Sequence, residues 1–357
     1  MSLKAKLKEK LKNVLFITLD NERVKSLFNI DLKENIYMPI GTESLVEDIN
    51  KGKNIDRIPV GIFIEGMFKV IGIDEEFKYN EDYIRLISAT PKSIPFIKGK
   101  IAESVKLNNL EEAYILLNGL IKIEDSKENY EKLLSLLNTL TMEDKDYKEE
   151  LLKSIELSKQ HENFSIPYLY EAQIKKEDKK YEEALFSINQ YLSLGGEETN
   201  EISDVKNSLK RIVEYEEGKQ LIYEAPSEAL NKLLALVNEM ADNASIFYYI
   251  AVAYRNLENY EKAIFYLNES VNLDSNFPEV FNELGINYAA ILDYEKAIYY
   301  LRKAFEVTGS IEICTNLIMC YINSGDMENA NIHLKMAKKI DSKDEILVQI
   351  ENYMKSL

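Results

Sequence analysis

A chain of 357 residues exceeds one ordinary domain, and its 46% hydrophobic and 29% charged residues give the composition of a folded protein, which excludes wholesale disorder and collagen-like or mucin-like sequence. Only 13 glycines and 7 prolines punctuate it, too few for an all-β chain of this size, whose turns would recur about every 8 to 12 residues. Sixty-one acidic against 44 basic residues leave a net charge of −17, a field that repels a phosphate backbone and argues against nucleic-acid binding.

The Lys-rich start, Met1 to Lys12, places Leu3, Leu7 and Leu11 at helical spacing, and no apolar run with a small-residue cleavage site follows it. A locally packed helix with a solvated basic side is favoured over a membrane-surface helix, since one short helix offers little apolar area. Val14 to Leu19 reads as a strand, Ile36 to Ile40 as a second, and Thr42 to Lys51 as a helix capped by Thr42 and ended by Gly52. Pro59 opens a helix through Val70, and Asn80 opens another that ends before Pro91. The apolar run Ile58 to Ile73 contains Glu65 and Lys69 and falls short of the roughly 20 residues a membrane span needs, which disfavours integral membrane association. Residues 1–92 are therefore expected to form a small, mostly helical domain bounded near Lys92.

From Ile94 onward the apolar residues recur in helical pairs. Ile97, Ile101 and Val105 precede Leu110 to Leu117; Leu133, Leu134, Leu137, Leu151, Leu152 and Ile155 follow; then Tyr168, Leu169 and Ala172 precede Tyr181 to Leu185. Ala184 and Ala229 stand 45 residues apart, 11 more than the 34-residue spacing found downstream, so an irregular joint or longer helices are expected near Gly195 to Lys210. Downstream, Tyr-Glu-Lys-Ala-Ile occurs at Tyr260 to Ile264 and again at Tyr294 to Ile298, an offset of 34. Phe247 aligns with Phe281, Ala251 with Gly285, Tyr254 with Tyr288 and Leu267 with Leu301, while Ala229 and Ala330 centre further copies. Each copy reads as two helices, about Ser245 to Leu257 and Tyr260 to Asn272 in one, joined at Glu258 and Asn259. Small residues at Ala251, Gly285, Ala263 and Ala297 let the paired helices approach.

These residues resemble the tetratricopeptide repeat family: a 34-residue period, a small residue at the eighth place, an aromatic at the eleventh and alanine at the twentieth. The resemblance is strongest over Ala244 to Ile340 and degenerate upstream to about residue 94. Ser275 and Gly309 stand where the family has proline, and Phe247, Phe281 or Cys314 where it has tryptophan. The resemblance implies an all-α protein, a right-handed α-solenoid of about seven hairpins over residues 93–342, with Lys343 to Leu357 as a capping helix. It also implies a concave wall of first helices, whose groove-facing places are Tyr248, Val252 and Arg255, then Asn282, Ile286 and Ala289, then Thr315, Met319 and Ile322. Such a wall suits an amphipathic helix or an extended segment of a protein or peptide, with Tyr248 and Met319 as anchors and Arg255 pairing with an acid. Tyr248 and Val252 do not match the Lys and Asn pattern of repeats that clamp a terminal carboxylate.

Chemistry-bearing motifs are scarce. His161 and His333 lie in separate repeats, Gly61, Gly66 and Gly72 fit neither phosphate-loop spacing, and no Gly-x-Ser-x-Gly elbow occurs. Glu111 with Glu112 and Glu182 with Glu183 read as solvated helix starts. The 23 tyrosines read mainly as core. Cys314 and Cys320, six apart on one helix, point to different faces and read as small buried hydrophobes in a reducing compartment. No catalytic residue, metal or cofactor is expected. The function expected is that of a non-enzymatic, cytoplasmic, protein- or peptide-binding scaffold or adaptor, and abundant Lys, Ile, Asn and Glu point to an AT-rich bacterial genome. The alternative is a bacterial peptide-responsive regulator in which ligand binding to the repeats repositions the N-terminal domain. An enzyme built on Met1 to Lys92 is the weakest reading.

Overall fold

The computed structural model describes residues 3–32, 34–41 and 58–356; the helix expected over Thr42 to Lys51 lies outside them. Among the described residues the chain is all-α but for one pair of strands, with nineteen helices. It forms two compact units, Met1–Lys206 and Asn207–Leu357.

The first unit opens with α1 (Leu3–Lys10), β1 (Val14–Leu19), α2 (Asn21–Phe28) and β2 (Ile36–Gly41). The strands pair antiparallel from Val14 opposite Gly41 to Leu19 opposite Ile36. Between them α2 starts where the Asp20 carboxylate accepts a 2.8 Å hydrogen bond from the Arg23 N–H. Three lysines of α1 pair within the chain: Lys8 with Asp74 at 2.9 Å, Lys10 with Glu111, and Lys6 with Asp146.

Helix α3 (Val60–Ile73) is apolar on nearly every side and is buried from Ile62 to Ile73, as a helix without a polar face must be. Its glycines are contact points rather than loop residues. A Cβ at Gly66 would stand 2.4 Å from the Pro39 carbonyl of β2. A Cβ at Gly72 would stand 2.0 Å from the Ile115 carbonyl of α6 (Leu110–Ile121), and Gly119 approaches the Phe68 carbonyl in return. Two backbones thus cross with no side chain between them. The charges within α3 are paired where they are buried, Lys69 lying 2.7 Å from Glu112 and 3.4 Å from Glu65.

After α4 (Asn80–Ala89), helical pairs follow: α5 (Ser93–Lys106) with α6, α7 (Lys127–Glu143) with α8 (Lys148–Ser158), and α9 (Ile166–Glu177) with α10 (Tyr181–Ser193). One core runs from Leu7 to Ile174, so the described residues before Lys92 share their interior with these pairs. The division into 1–92, 93–342 and 343–357 is a proposal about repeat boundaries; compactness groups the chain differently. The extra residues between Ala184 and Ala229 are taken up by a loop at Leu194 to Thr199 and a 22-residue helix, α11 (Asn200–Leu221), within which the two units divide.

In the second unit α12 (Pro226–Leu236) packs on the end of α11, where a Cβ at Gly218 would meet Leu233. Then come the pairs α13 (Ala244–Asn256) with α14 (Tyr260–Leu273), α15 (Pro278–Ala290) with α16 (Tyr294–Thr308), and α17 (Ile311–Asn323) with α18 (Met327–Ile340), closed by α19 (Glu345–Ser356). Each helix packs mainly on its sequence neighbours, the pattern of a solenoid. Rings repeat with the helices: Tyr266 stacks on Tyr254 at 5.5 Å, and Tyr300 on Tyr288 at 5.6 Å. In the next copy His333 takes that place beside Tyr321, at 5.0 Å.

The turns inside the hairpins repeat as well. Asn108, Lys179, Glu258, Leu292 and Gly325 all adopt positive φ two residues before a second helix. The next residue's N–H then reaches back to a carbonyl of the first helix, as from Asn259 to Tyr254 and from Asp293 to Tyr288, each 2.9 Å, which satisfies otherwise orphaned acceptors. In the last three hairpins that residue also caps the second helix through its side chain, as Asp326 does for Asn329 at 3.0 Å.

Candidate functional site

The wall expected to bind a partner lies within the second unit, on α13, α15 and α17, whose neighbouring members pack directly on one another. That packing divides the nine expected residues. Val252, Thr315 and Ile322 are buried and offer no surface, whereas Tyr248, Arg255, Asn282, Ile286, Ala289 and Met319 keep partial exposure. Tyr248 is held by rings on both sides, Tyr249 and Phe277, each at 5.2 Å. Burial, with the charge of Glu283 adding to it, pushes its phenol well above the ordinary tyrosine value.

Arg255 meets its acid inside the chain. Its Nε lies 2.8 Å from Oε2 of Glu283, a residue of α15 that is only 7% exposed. The two atoms are close yet misaligned, so neither completes a directed hydrogen bond. Burial raises the Glu283 carboxyl above the usual glutamate value; Arg255 opposes the shift, and Glu312 reinforces it. Desolvation therefore outweighs the ion pair.

Two amide oxygens lie beneath the wall's surface. Asn287 is fully buried and donates from Nδ2 to the Glu283 carbonyl at 2.8 Å, which leaves its Oδ1 without a hydrogen-bond partner among the described residues. Asn282 Oδ1 is likewise buried without one. Of the two, only that of Asn282 belongs to a partly exposed side chain of the wall, while the Arg255 cation is already matched.

Reading groove places from the repeat missed Glu283 and Asn287. Their signal lies in the alignment: Asn287 occupies the place of buried Ala253 and Cys320 in the neighbouring copies, and Glu283 that of Tyr249. Both cysteines are buried, and burial pushes their thiols up to about 11, so they are protonated at neutral pH and chemically quiet. Among the described residues no group of three or more His, Cys, Asp or Glu side chains could hold a metal ion, and no helix is long and apolar enough to cross a membrane.

Helical hairpins in tandem, with small residues at the inter-helix contacts and a wall of first helices, define a repeat protein of the α-solenoid class. The family model described as "Tetratricopeptide repeat" matches residues 244–277, the α13–α14 hairpin and its linker. That hairpin carries a tetratricopeptide repeat. No curated protein matches its sequence. Among solved structures it is similar to MamA, at 18% identity over 48% of this chain and 95% of that one, with a TM-score of 0.37. A thermophilic TPR protein of Thermus thermophilus is 17% identical over 53% of this chain and 98% of its own, with a TM-score of 0.33. YrrB, described as a TPR protein with an unusual peptide-binding site, is 18% identical over 55% and 96%, with a TM-score of 0.38.

Proposed function

We propose that the protein is a non-catalytic cytoplasmic scaffold that binds an apolar, extended segment of a protein along α13, α15 and α17. The observation that supports this is the set of partly exposed apolar side chains Tyr248, Ile286 and Met319 on the three first helices, together with partly exposed Asn282, whose Oδ1 has no hydrogen-bond partner among the described residues. An extended backbone supplies free N–H donors at regular intervals, whereas a helix has used its own. With Arg255 matched by Glu283, the segment gains nothing from an acid at that point.

The variant Asn282→Ala with Met319→Ala tests this. Removing an unpaired acceptor costs the fold little, whereas truncating Met319, which packs on the core, should lower the melting temperature by a few degrees; at a temperature where both chains are folded, affinity capture from lysate should lose the partner that the parent chain recovers. Identical recovery by the two chains would exclude this wall as the binding surface.

A further inference from the structure

First helices of successive hairpins pack directly where α7 meets α9, α13 meets α15 and α15 meets α17, but α5 and α7 have no comparable packing. Between them lies a cavity of about 700 Å³, floored by Leu117 and Leu120 of α6. Small side chains help keep it open, Ala102 on α5 and Ser135 and Thr139 on α7 being among its lining. Its size falls within the range of about 300–1,000 Å³ typical of small-molecule sites. It lies wholly inside the first unit and is independent of the wall proposed above.

The two ends differ chemically. Toward the C-terminal ends of α5 and α7 the lining is Val105, Leu110 and Leu136, with Thr139 the one polar side chain there. Toward their N-terminal ends stand Lys98 and Lys132, each already answered, Lys98 by Glu124 at 2.9 Å and Lys132 by Glu128 at 2.6 Å. Between these pairs sits Asn129, 1% exposed. Its Nδ2 donates to the Glu124 carbonyl at 2.8 Å, which fixes the amide's orientation, and its Oδ1 has no hydrogen-bond partner among the described residues. A buried acceptor left unpaired beside a cavity costs free energy that a donor reaching it from the cavity would recover.

We infer that this cavity binds a small neutral amphiphile, an apolar chain whose head group donates a hydrogen bond to Asn129 Oδ1. A primary amide fits that description. A carboxylate does not, because both nearby lysines are paired and the head group would approach Glu128 and Glu131.

Octanamide and methyl octanoate differ in the donor while sharing the chain, so titration of the full-length protein with each, by calorimetry and by thermal shift, tests the assignment. Octanamide should bind saturably and raise the melting temperature, and methyl octanoate should bind at least about fivefold more weakly for want of one hydrogen bond. Ala102→Phe and Ser135→Phe, both at exposed positions, should each fill the cavity and abolish octanamide binding while leaving the far-ultraviolet circular dichroism of the parent. Absence of octanamide binding, equal binding of the two probes, or binding that survives both phenylalanine variants would overturn the proposal.

Discussion

Leu292 and Glu283 occupy places where a local rule is broken. Leu292 has φ of 63° and is 70% exposed, so its side chain packs little while its backbone sits in the left-handed region, at a cost of about 1–2 kcal/mol for a residue with a Cβ. The corresponding place in the next copy is Gly325. Leu292→Gly should therefore raise the urea midpoint, by a net gain of about 0.5–1 kcal/mol after the greater freedom of glycine in the unfolded chain is subtracted. Glu283 acts through protonation. Its folded value is raised above the ordinary 4.5, so the folded state holds the proton more tightly than the unfolded chain does. The stability this contributes is complete below the ordinary value and is lost as pH rises through the raised one. Glu283→Gln cannot lose it, and the stability difference, parent minus variant, should fall as pH is raised from 4 toward 7; a difference that stays flat across that range would contradict the raised value.

At the scale of elements, the crossing of α3 and α6 shows why one substitution has opposite effects at two glycines. Gly72→Ala drives a Cβ to 2.0 Å from the Ile115 carbonyl, and the helices can admit it only by separating. Overpacking of this kind costs typically about 1–3 kcal/mol, and more where backbone rather than a flexible side chain must yield. Gly99, exposed in the interior of α5 with nothing within 4 Å of an added Cβ, should instead gain about 0.5–1 kcal/mol on replacement by alanine. Chemical denaturation of the two variants beside the parent checks both signs. The phase of the hairpins was legible because Ala263, Ala297 and Ala330 mark the close contact in each copy and a small residue there is visible in any alignment. The left-handed turns were not. Asn, Lys, Glu, Leu and Gly share one conformation, imposed by the helices on either side rather than by residue preference.

For the molecule as a whole, the repeat predicted where first helices run but not how much of each remains open. Val252, Thr315 and Ile322 stand at groove places yet are buried, because neighbouring first helices pack directly there. At α5 and α7 the same arrangement opens into a cavity, a difference set by facing side chains from separate helices that no spacing within one helix reports. The two glycines of α3 carried no phosphate-loop pattern, and their use as contact points with β2 and α6 depended on which backbones were brought against them.

What the sequence determined by itself was local and periodic: helices where apolar residues recur, strands over Val14–Leu19 and from Ile36, and hairpins wherever the alanine spacing holds. Those features follow from interactions within one element or between adjacent ones. Only the tertiary structure decided that Arg255 is matched by Glu283, that Asn129 and Asn282 hold oxygens with no hydrogen-bond partner among the described residues, and that the described residues before Lys92 share a core with the first hairpins. Each of these depends on groups meeting across elements, where small differences in helix separation decide whether a polar atom is answered or left open.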